Sequence, residues 1–399
     1  MKVLKIEAKG LKLIKNEISI DFYAKQRVSL DKNEMLTNLF SNVYINNVIS
    51  FIGKNASGKT TTLKVISFAL QLLRNEPINK IKYREILTGL KEDEEVEFNI
   101  YFLTNTNKIS KLKTIIKANI DFENNNLDNN LKNQYFISHE ELKEKSISSI
   151  RSKKDLFDFS EKEPIFVRDN NELFLLDDVS VMVAYNKECN NTLYMIDSIE
   201  WTDINGLRIK GNFPISIVQF LDSNIESLEV IDNENKLEIH LKFYGKDAIV
   251  CYNPLDLNKY LSSGTIKGIN LFLTAIMMLK RGGYLIVDEL ENHFNKEIVS
   301  TFIRLFMDAE TNPNGAVLIF STHYIEIIDN FERNDNTYVI RNKEYIDIKN
   351  LSDVLNRNDV KKSDFFQSGV LNDTAPSYNE YIIFKRELKN DLNNKGNKY

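Results

Sequence analysis

The chain has 399 residues, enough for one large domain with an insertion or for two domains. Apolar residues make up 42% and charged residues 27%, the composition of an ordinary globular protein that can bury a core without cross-links. The formal net charge of −5 argues against a surface that is basic all over, the kind that grips nucleic acid, although a local basic stripe remains compatible with it.

Cysteine and histidine usage points away from disulfides and metal centres. Cys189 and Cys251 lie far apart without a CxxC partner, which is typical of reduced cysteines in the cytosol. The four histidines have no metal-ligand spacing. The first residues, MKVLKIEAKGLKLI, are typical of a strand rather than a signal peptide, and no apolar run approaches the roughly 20 residues of a membrane span. We therefore expect a cytoplasmic protein that does not enter a membrane.

The first part of the chain predicts strands and one helix. Apolar patterns predict a strand pair at 3–6 and 18–22, followed by a polar loop or short helix at 31–47. Val48–Ile52 is a short apolar run, which is typical of a buried strand. From residue 61 to 73 the apolar residues fall on one helical face.

The middle of the chain is the least readable part. Alternation predicts strands at 95–103 and 112–116. The Asn-rich stretch 121–134 is loop-like and is taken as the start of an inserted segment at 120–214. Residues 141–155 are charged and helical in character, which indicates either a solvated helix face or a basic contact surface for a partner or nucleic acid. The basic residues of that stretch are Lys143, Lys145, Arg151, Lys153 and Lys154.

From residue 215 onward, predicted helices alternate with short apolar strands. The helices are expected at 217–228, 266–279 and 298–307, and the strands at 236–243, 283–287, 316–320 and 337–340. This alternation indicates a mainly parallel sheet that is covered on both faces. The tail after residue 350 is polar, with one apolar helix-like stretch at 381–388.

Residues 53–60, GKNASGKT, match G-x-x-x-x-G-K-[ST] without a mismatch. The glycines allow the backbone to wrap around phosphates, and successive N–H groups with the following helix N-terminus form an anion-binding nest. We expect Lys59 to reach the β- and γ-phosphates of ATP and Thr60 to bind Mg²⁺. The motif lies between a predicted strand and a predicted helix, as it requires. The expected nucleotide-binding residues are Gly53, Lys54, Asn55, Ala56, Ser57, Gly58, Lys59, Thr60 and Thr61.

Three further motifs follow in the second half of the chain. The predicted strand GYLIV ends in Asp288 and Glu289, which could hold Mg²⁺ and polarise an attacking water, or alone could form a turn or a helix cap. The sequence LSSGT at 261–265 precedes an apolar helix and alone would be an ordinary serine N-cap. His323, in STH after the next strand, could reach a γ-phosphate or could be a capping or core histidine.

The order of phosphate loop, LSSGT, LIVDE and STH resembles the ATP-binding-cassette (ABC) ATPase head, in the branch of the SMC, Rad50 and RecF proteins. It is most similar to the stand-alone AAA15/AAA21-type ATPases of bacterial abortive-infection and anti-phage defence systems. The sequence motifs GKNASGKTT, DELEN and IFSTH are typical of that group. The resemblance covers residues 1–115 and 215–345 well, and the middle and the tail poorly.

The resemblance implies roles for particular residues. Ser262, Ser263 and Gly264 belong to the signature that contacts the γ-phosphate of another subunit's ATP; Glu289 is the catalytic base and His323 the switch histidine. Lys59 completes the catalytic set, and Asp288 joins Thr60 as a metal ligand. The family often has an LHP triplet where this chain has Phe-Asn-Lys at 294–296, and its glutamine loop is not evident here, with Gln134 and Gln219 as candidates.

The expected fold is an α/β P-loop NTPase of the ABC-ATPase-head type. It has a mostly parallel central sheet, N-terminal antiparallel strands and an inserted lid segment. Residues 1–119 form the N-terminal lobe with the phosphate loop, 120–214 the lid, 215–349 the C-terminal lobe with signature, acid pair and histidine, and 350–399 a tail.

Three functions are compatible with these features. The first is a hydrolytic ATP switch of a defence system, which shares its sites between copies and controls a separate effector under a possible phage-protein trigger. The second is a RecF-like repair ATPase that binds DNA directly, which the net charge disfavours. The third is a non-catalytic nucleotide-dependent scaffold, which the intact Lys59, Asp288 and Glu289 disfavour. ATP and Mg²⁺ are the expected cofactors.

Overall fold

The computed structural model describes residues 1–28, 35–119, 134–168, 176–200, 207, 211–212, 214–233, 236–292, 294–355, 357, 360–367 and 378–394. The predicted loop at 121–134 lies, except for Gln134, outside these residues. Within the described ranges, no helix is long and apolar enough to cross a membrane.

Strands and helices are numbered in chain order over the described residues. The strands are β1 (Lys2–Lys9), β2 (Glu17–Asp21), β3 (Leu36–Phe40), β4 (Val43–Asn46), β5 (Val48–Ile52), β6 (Val96–Leu103), β7 (Lys108–Ala118), β8 (Tyr135–Ser146), β9 (Pro164–Arg168), β10 (Met195–Asp197), β11 (Gly211–Asn212), β12 (Ile225–Asn233), β13 (Lys236–Phe243), β14 (Ile249–Cys251), β15 (Tyr284–Val287), β16 (Val317–Thr322), β17 (Thr337–Asn342) and β18 (Ile346–Asn350). The helices are α1 (Lys59–Leu73), α2 (Met182–Glu188), α3 (Ile215–Leu221), α4 (Ser263–Arg281), α5 (Lys296–Met307), α6 (Lys362–Gln367) and α7 (Tyr378–Asn394).

Two six-stranded sheets form the body of the protein. One is antiparallel throughout, in the order β2-β1-β6-β7-β8-β9. The other has the order β10-β15-β16-β5-β17-β18 and is parallel except for its last pair. A smaller sheet, β11-β12-β13-β14, and the hairpin β3-β4 complete the described strands. The expected mostly parallel sheet with N-terminal antiparallel strands is therefore present.

The parallel sheet is buried on both faces. Every residue of β5, β15 and β16 is buried, which explains why these strands are continuous apolar runs. Alternate residues enter different cores: Ile49 and Phe51 join a core with α1 and the antiparallel sheet, whereas Val48 and Ile52 join one with α4 and α5. The carboxyl ends of the strands are thus held between two packed layers.

Two buried tyrosines tie the sheets together. The hydroxyl of Tyr284 on β15 accepts a 2.7 Å hydrogen bond from the main-chain N–H of Val3. The hydroxyl of Tyr338 on β17 accepts a bond of the same length from the N–H of Asp21. Burial raises the pKa of both phenols, so they remain neutral. Each bond satisfies a buried backbone donor that would otherwise lack a partner.

Most of the predicted elements are confirmed. The strand pair at the N-terminus, β5, β6, β13, β15, β16 and β17 occur where the patterns predicted them, and β7 is longer than predicted. The helices α1, α4 and α5 are also found, each beginning a few residues earlier than predicted. The apolar stretch in the tail lies within α7.

Two predictions were wrong because strands with polar faces were mistaken for other structure. The segment 31–47, expected as a loop or short helix, contains the hairpin β3-β4, whose buried face includes Val43 and Ile45. The helix predicted over 217–228 ends at Leu221, and Ile225 already begins β12. An Asp-Ser-Asn turn separates them, where the Asp222 carboxylate accepts from the N–H of Asn224 at 3.0 Å.

The helix predicted at 141–155 is also wrong. Its first part is the end of β8, which pairs with β7 in a register that places Leu142 opposite Leu112. Leu142 lies on the buried side of the strand, whereas the opposite side carries Glu141 and Lys143, which form an ion pair at 3.8 Å. Charges on the exposed face of a strand therefore produced a helix-like composition.

The described parts of the predicted lid do not form a separate layer. β8 and β9 extend the antiparallel sheet from β7, and β10 pairs in parallel with β15. Strands of segment 120–214 therefore complete both main sheets. The domain boundaries at 119 and 214 stay predictions.

Two of the five basic residues expected on a contact surface point inward. The Lys145 amine donates to the main-chain oxygens of Asp155 and Asp158, the second at 2.6 Å, and lies 4.0 Å from the centre of the Phe159 ring. Burial lowers the pKa of Lys145 to about 8. The Lys153 amine donates to three main-chain oxygens of residues 24–26. For these two side chains the expectation of a contact surface is wrong, since they cap carbonyl groups of the chain itself.

Lys145→Glu is expected to lower the free energy of unfolding by about 3 kcal/mol or more, because it buries a carboxylate against carbonyl oxygens. Arg151→Glu, the control, alters an exposed side chain of the same stretch and should stay within about 0.5 kcal/mol of the wild type. Urea denaturation of both variants measures the difference. Equal unfolding midpoints would contradict the inward placement of Lys145.

Candidate nucleotide site

The phosphate loop joins the carboxyl end of β5 to α1, which begins at Lys59. Asn55 and Ala56 are exposed at its tip. Beneath them, the Ser57 hydroxyl is buried and has no hydrogen-bond partner among the described residues. A buried orphan hydroxyl beside the N–H groups of a helix N-terminus fits an anion bound in this loop.

Both glycines of the motif are needed because the hairpin of β17 and β18 lies against the loop. A Cβ on Gly53 would lie 2.4 Å from the main-chain oxygen of Ile340. Gly58 has a φ of +99°, and a Cβ there would lie 2.5 Å from Cδ1 of Ile346. The loop therefore requires glycine at both positions on grounds of space, and at Gly58 also on grounds of conformation.

The Lys59 side chain is folded back onto the loop. Its amine donates to the main-chain oxygens of Gly53 at 2.9 Å and Lys54 at 3.0 Å, and lies 3.1 Å from Nδ1 of His323. Burial lowers the pKa of Lys59, while the carboxylates around it act in the opposite direction. The amine is thus held at the mouth of the loop by weak acceptors that phosphate oxygens could replace.

Thr60 and Asp288 place two oxygen atoms side by side. The Thr60 hydroxyl donates to Oδ2 of Asp288 at 2.6 Å, and Asp288 is only 8% exposed. The Ser321 hydroxyl donates to the other oxygen, Oδ1. Hydroxyl and carboxylate oxygens are ligands that Mg²⁺ accepts when phosphates and water supply the remainder. The pair therefore fits the metal that the phosphate loop implies.

Glu289 has an unusual backbone conformation. Its φ is +48°, in the left-handed region, which costs a residue other than glycine about 1–2 kcal/mol. The N–H of Glu289 donates to the Ser321 hydroxyl at 2.7 Å, so one serine contacts both acids. Strain that is retained by specific hydrogen bonds is common where side chains must be aimed for chemistry.

His323 connects the phosphate loop to the acid pair. Its Nε2 lies 3.1 Å from Oε1 of Glu289 and its Nδ1 3.1 Å from the Lys59 amine. Because an ammonium group can only donate, Nδ1 accepts, and the ring proton on Nε2 is directed to Glu289. Asn292 donates to the other Glu289 oxygen at 2.7 Å. The bond from His323, assisted by Asn292, lowers the pKa of Glu289 and keeps it a carboxylate.

A cleft of about 490 Å³ is lined by the phosphate loop from Asn55 onward, by Glu289 and by His323, and its far wall was not predicted. That wall includes Leu13, Asn342, Glu344 and Ile346. The N–H of Ile346 donates to the oxygen of Leu13 at 2.9 Å, and the Asn342 amide donates to the oxygen of Ala56 at 3.3 Å. No motif marks these residues, because pairing between distant parts of the chain brings them to the loop. Ser321 and Asn292 were likewise missed.

The signature residues lie elsewhere. The Ser262 hydroxyl accepts from the N–H of Thr265 at 3.0 Å and caps α4, as the alternative interpretation expected. Ser262, Ser263 and Gly264 are not among the described residues that line the cleft of their own chain. The two glutamine-loop candidates do not line it either; Gln219 instead donates to the hydroxyl of Tyr244 at 2.9 Å.

The arrangement defines a class of protein. The phosphate loop follows β5, the acid pair follows β15 and His323 follows β16, which lies between β15 and β5 in the parallel sheet. These are the parts of a nucleotide-binding P-loop ATPase of the ABC/AAA type.

Comparison with known families agrees with this class. The family model described as "AAA domain, putative AbiEii toxin, Type IV TA system" matches residues 48–329, and the chain belongs to this family. The match spans the phosphate loop, the signature, the acid pair and His323. The resemblance to ATPases of abortive-infection systems is thereby confirmed. None of the curated proteins matches the chain significantly.

Gly58→Ala is expected to weaken ATP binding by about tenfold or more, because the new methyl group strains the backbone and also displaces the loop from Ile346. Gly245→Ala is a matched control: its φ of +69° carries a similar strain, but nothing lies within 4 Å of the added Cβ. Calorimetric titration with ATP compares the two. A similar affinity in both variants would show that the contact with Ile346 does not shape the loop.

Proposed function

We propose that this protein is a cytoplasmic, ATP-hydrolysing switch in a prokaryotic anti-phage defence or toxin–antitoxin system. The observation that carries hydrolysis is the contact series from Lys59 through His323 to Glu289, beside the oxygen pair of Thr60 and Asp288. The family's description, which names a toxin of a type IV toxin–antitoxin system, supports the biological setting. The switch would control a separate effector, a toxin or a nuclease, and a phage protein is the proposed trigger.

In the proposed reaction Glu289 is the general base. A water molecule attacks the γ-phosphorus, the bond to the β–γ bridging oxygen breaks, ADP leaves, and the proton of the water passes to the Glu289 carboxylate. His323 and Asn292 orient that carboxylate through the bonds they donate to it. Mg²⁺ bound at Thr60 and Asp288 would neutralise charge on the phosphates.

Nucleotide binding would affect the general base, Glu289, through Lys59 and His323. In the described conformation the Lys59 amine donates hydrogen bonds to two main-chain oxygens of the loop and to His323. Phosphate oxygens would be stronger acceptors for the same amine, since the bond is then charge-assisted on both sides. When the Lys59 amine moves to the phosphate oxygens, His323 loses its contact with Lys59 but keeps its hydrogen bond to Glu289. Nucleotide bound in the loop would thereby change the hydrogen bonding of the general base.

We further propose that two or more copies share their ATP sites. The signature residues 262–264 begin α4 and do not line their own cleft. The first turn of α4 has no acidic residue, so its N-terminus favours an anion. Presented to another copy, this helix end would contact the γ-phosphate there. Direct DNA binding finds less support, since Lys145 and Lys153 are engaged internally.

Glu289→Gln is expected to retain ATP binding and to lower turnover by about 10²–10⁴-fold, because an amide cannot accept the proton of the attacking water. Lys59→Ala should instead abolish tight binding. Titration with ATP and a phosphate-release assay separate the two effects. Glu310→Gln removes one exposed acid outside the cleft as a control and should behave like the wild type. Full turnover in Glu289→Gln would remove Glu289 from the mechanism.

Sharing of sites predicts that activity per subunit rises with protein concentration. Chains carrying Lys59→Ala and chains carrying Ser263→Arg should each be inactive, whereas a mixture should regain activity, since one pairing holds a complete site. Steady-state turnover of the mixture at several concentrations measures this. Concentration-independent turnover together with no rescue would falsify the shared-site proposal while leaving hydrolysis by Glu289 untouched.

A further inference from the structure

We propose that Glu291 is a positioning residue of the ATPase site, which holds the main chain of His323 and thereby keeps the imidazole between Lys59 and Glu289. The proposal deepens the proposed function and rests on hydrolysis at that site. Neither the phosphate-loop motif nor the acid pair includes Glu291. It lies in the loop after β15, two positions beyond the general base.

The anchoring contact joins two loops at the ends of neighbouring strands. The main-chain N–H of His323 donates to Oε1 of Glu291, which is only 6% exposed. A hydrogen bond to a buried carboxylate is charge-assisted and stronger than one to a neutral acceptor. The position of the His323 main chain is therefore set by the Glu291 side chain across the gap between β15 and β16.

The neighbouring hydrogen bonds between the two loops hold Ser321, whereas the bond to Glu291 holds the main chain of His323. The N–H of Leu290 donates to the main-chain oxygen of Ser321 at 3.1 Å, and the N–H of Glu289 to its hydroxyl at 2.7 Å. These bonds hold the loop after β15 to Ser321, before the histidine. The bond from His323 itself to Glu291 lies beyond them, where β16 has ended. Since both imidazole contacts are 3.1 Å long, a displacement of about 1 Å in this main chain would break them.

A second observation indicates that Glu291 does more than pack in the loop after β15. Oε2 of Glu291 is buried and has no hydrogen-bond partner among the described residues. A buried carboxylate oxygen without a donor is unfavourable for folding, so a neutral side chain would serve a structural loop better. Glu291 nevertheless occupies this position, and its other oxygen accepts the bond from the His323 main chain.

The anchor can be observed without any activity assay. The chain has four histidines, so a protein labelled with ¹⁵N-histidine gives few backbone amide signals, and His323→Gln identifies the one from His323. Its proton should lie downfield and exchange slowly, as expected for a bond to a carboxylate. Glu291→Ala should move this signal upfield and accelerate its exchange. Glu291→Gln keeps an acceptor oxygen and should preserve most of the protection.

Kinetics then test the positioning role. Glu291→Ala should lower kcat by about tenfold or more while the ATP dissociation constant changes by less than about threefold. In a His323→Ala background the same substitution should change kcat by less than about twofold, because its effect passes through the histidine. Glu291→Gln should recover most of the lost turnover. If Glu291→Ala does not fold, Glu291→Gln and Glu291→Asp give the same comparison, with the aspartate expected to be the slower.

Asn295→Ala is the control for the loop itself. Its side chain caps α5 by accepting from the N–H of Ile298 at 2.9 Å, so its loss loosens the same loop–helix junction without contacting His323, and kcat should stay normal. Additive losses in the double variant, or an unchanged His323 amide signal in Glu291→Ala, would overturn the proposal. A wild type that binds but does not hydrolyse ATP would instead refute the proposed function, while the amide signal still tests the anchor.

Discussion

The site depends on the parallel order of β15, β16 and β5. Parallel neighbours end at the same edge of a sheet, so the phosphate loop, the acid pair and His323 meet there although they are far apart in the chain. The hydrogen bond between Thr60 and Asp288 spans 228 positions. Had one of these strands run in the opposite direction, its functional residue would lie at the far edge, beyond the reach of any side chain.

Contacts outside the proposed reaction hold the side chains at this edge in place. The tyrosine hydroxyls of β15 and β17 hold the antiparallel sheet against the parallel one. The hairpin of β17 and β18 lies so close to the phosphate loop that a glycine without φ strain, Gly53, is still obligatory. Ser321 retains the left-handed backbone of Glu289. Each feature limits where one group of the candidate site can move.

Parts of the site that are contiguous in the sequence could be predicted, whereas parts that strand pairing brings together from distant positions could not. The phosphate loop, the acid pair and His323 are short motifs that follow apolar strands, so their elements and their proximity could be predicted. Leu13 and Glu344 enter the cleft through strand pairing between the two ends of the chain, which no local pattern encodes. Strand β8 was mistaken for a helix because its charged face masks the alternation, and Ser321 looked like part of an ordinary strand end.

Helix α4 belongs to two cores at once. Ile266 and Ile269, near its start, lie in the small core beneath β12, β13 and β14, whereas Ala275 and Met278 lie in the core of the parallel sheet. The signature and the phosphate loop therefore rest on different cores, which are joined by α4 and by Ile217 and Leu221 of α3, since these pack against both. In the proposed shared site, substitutions in the small core would alter the surface offered to another copy and leave the core beneath the phosphate loop unchanged. The choice of partner and the affinity for nucleotide could then evolve independently.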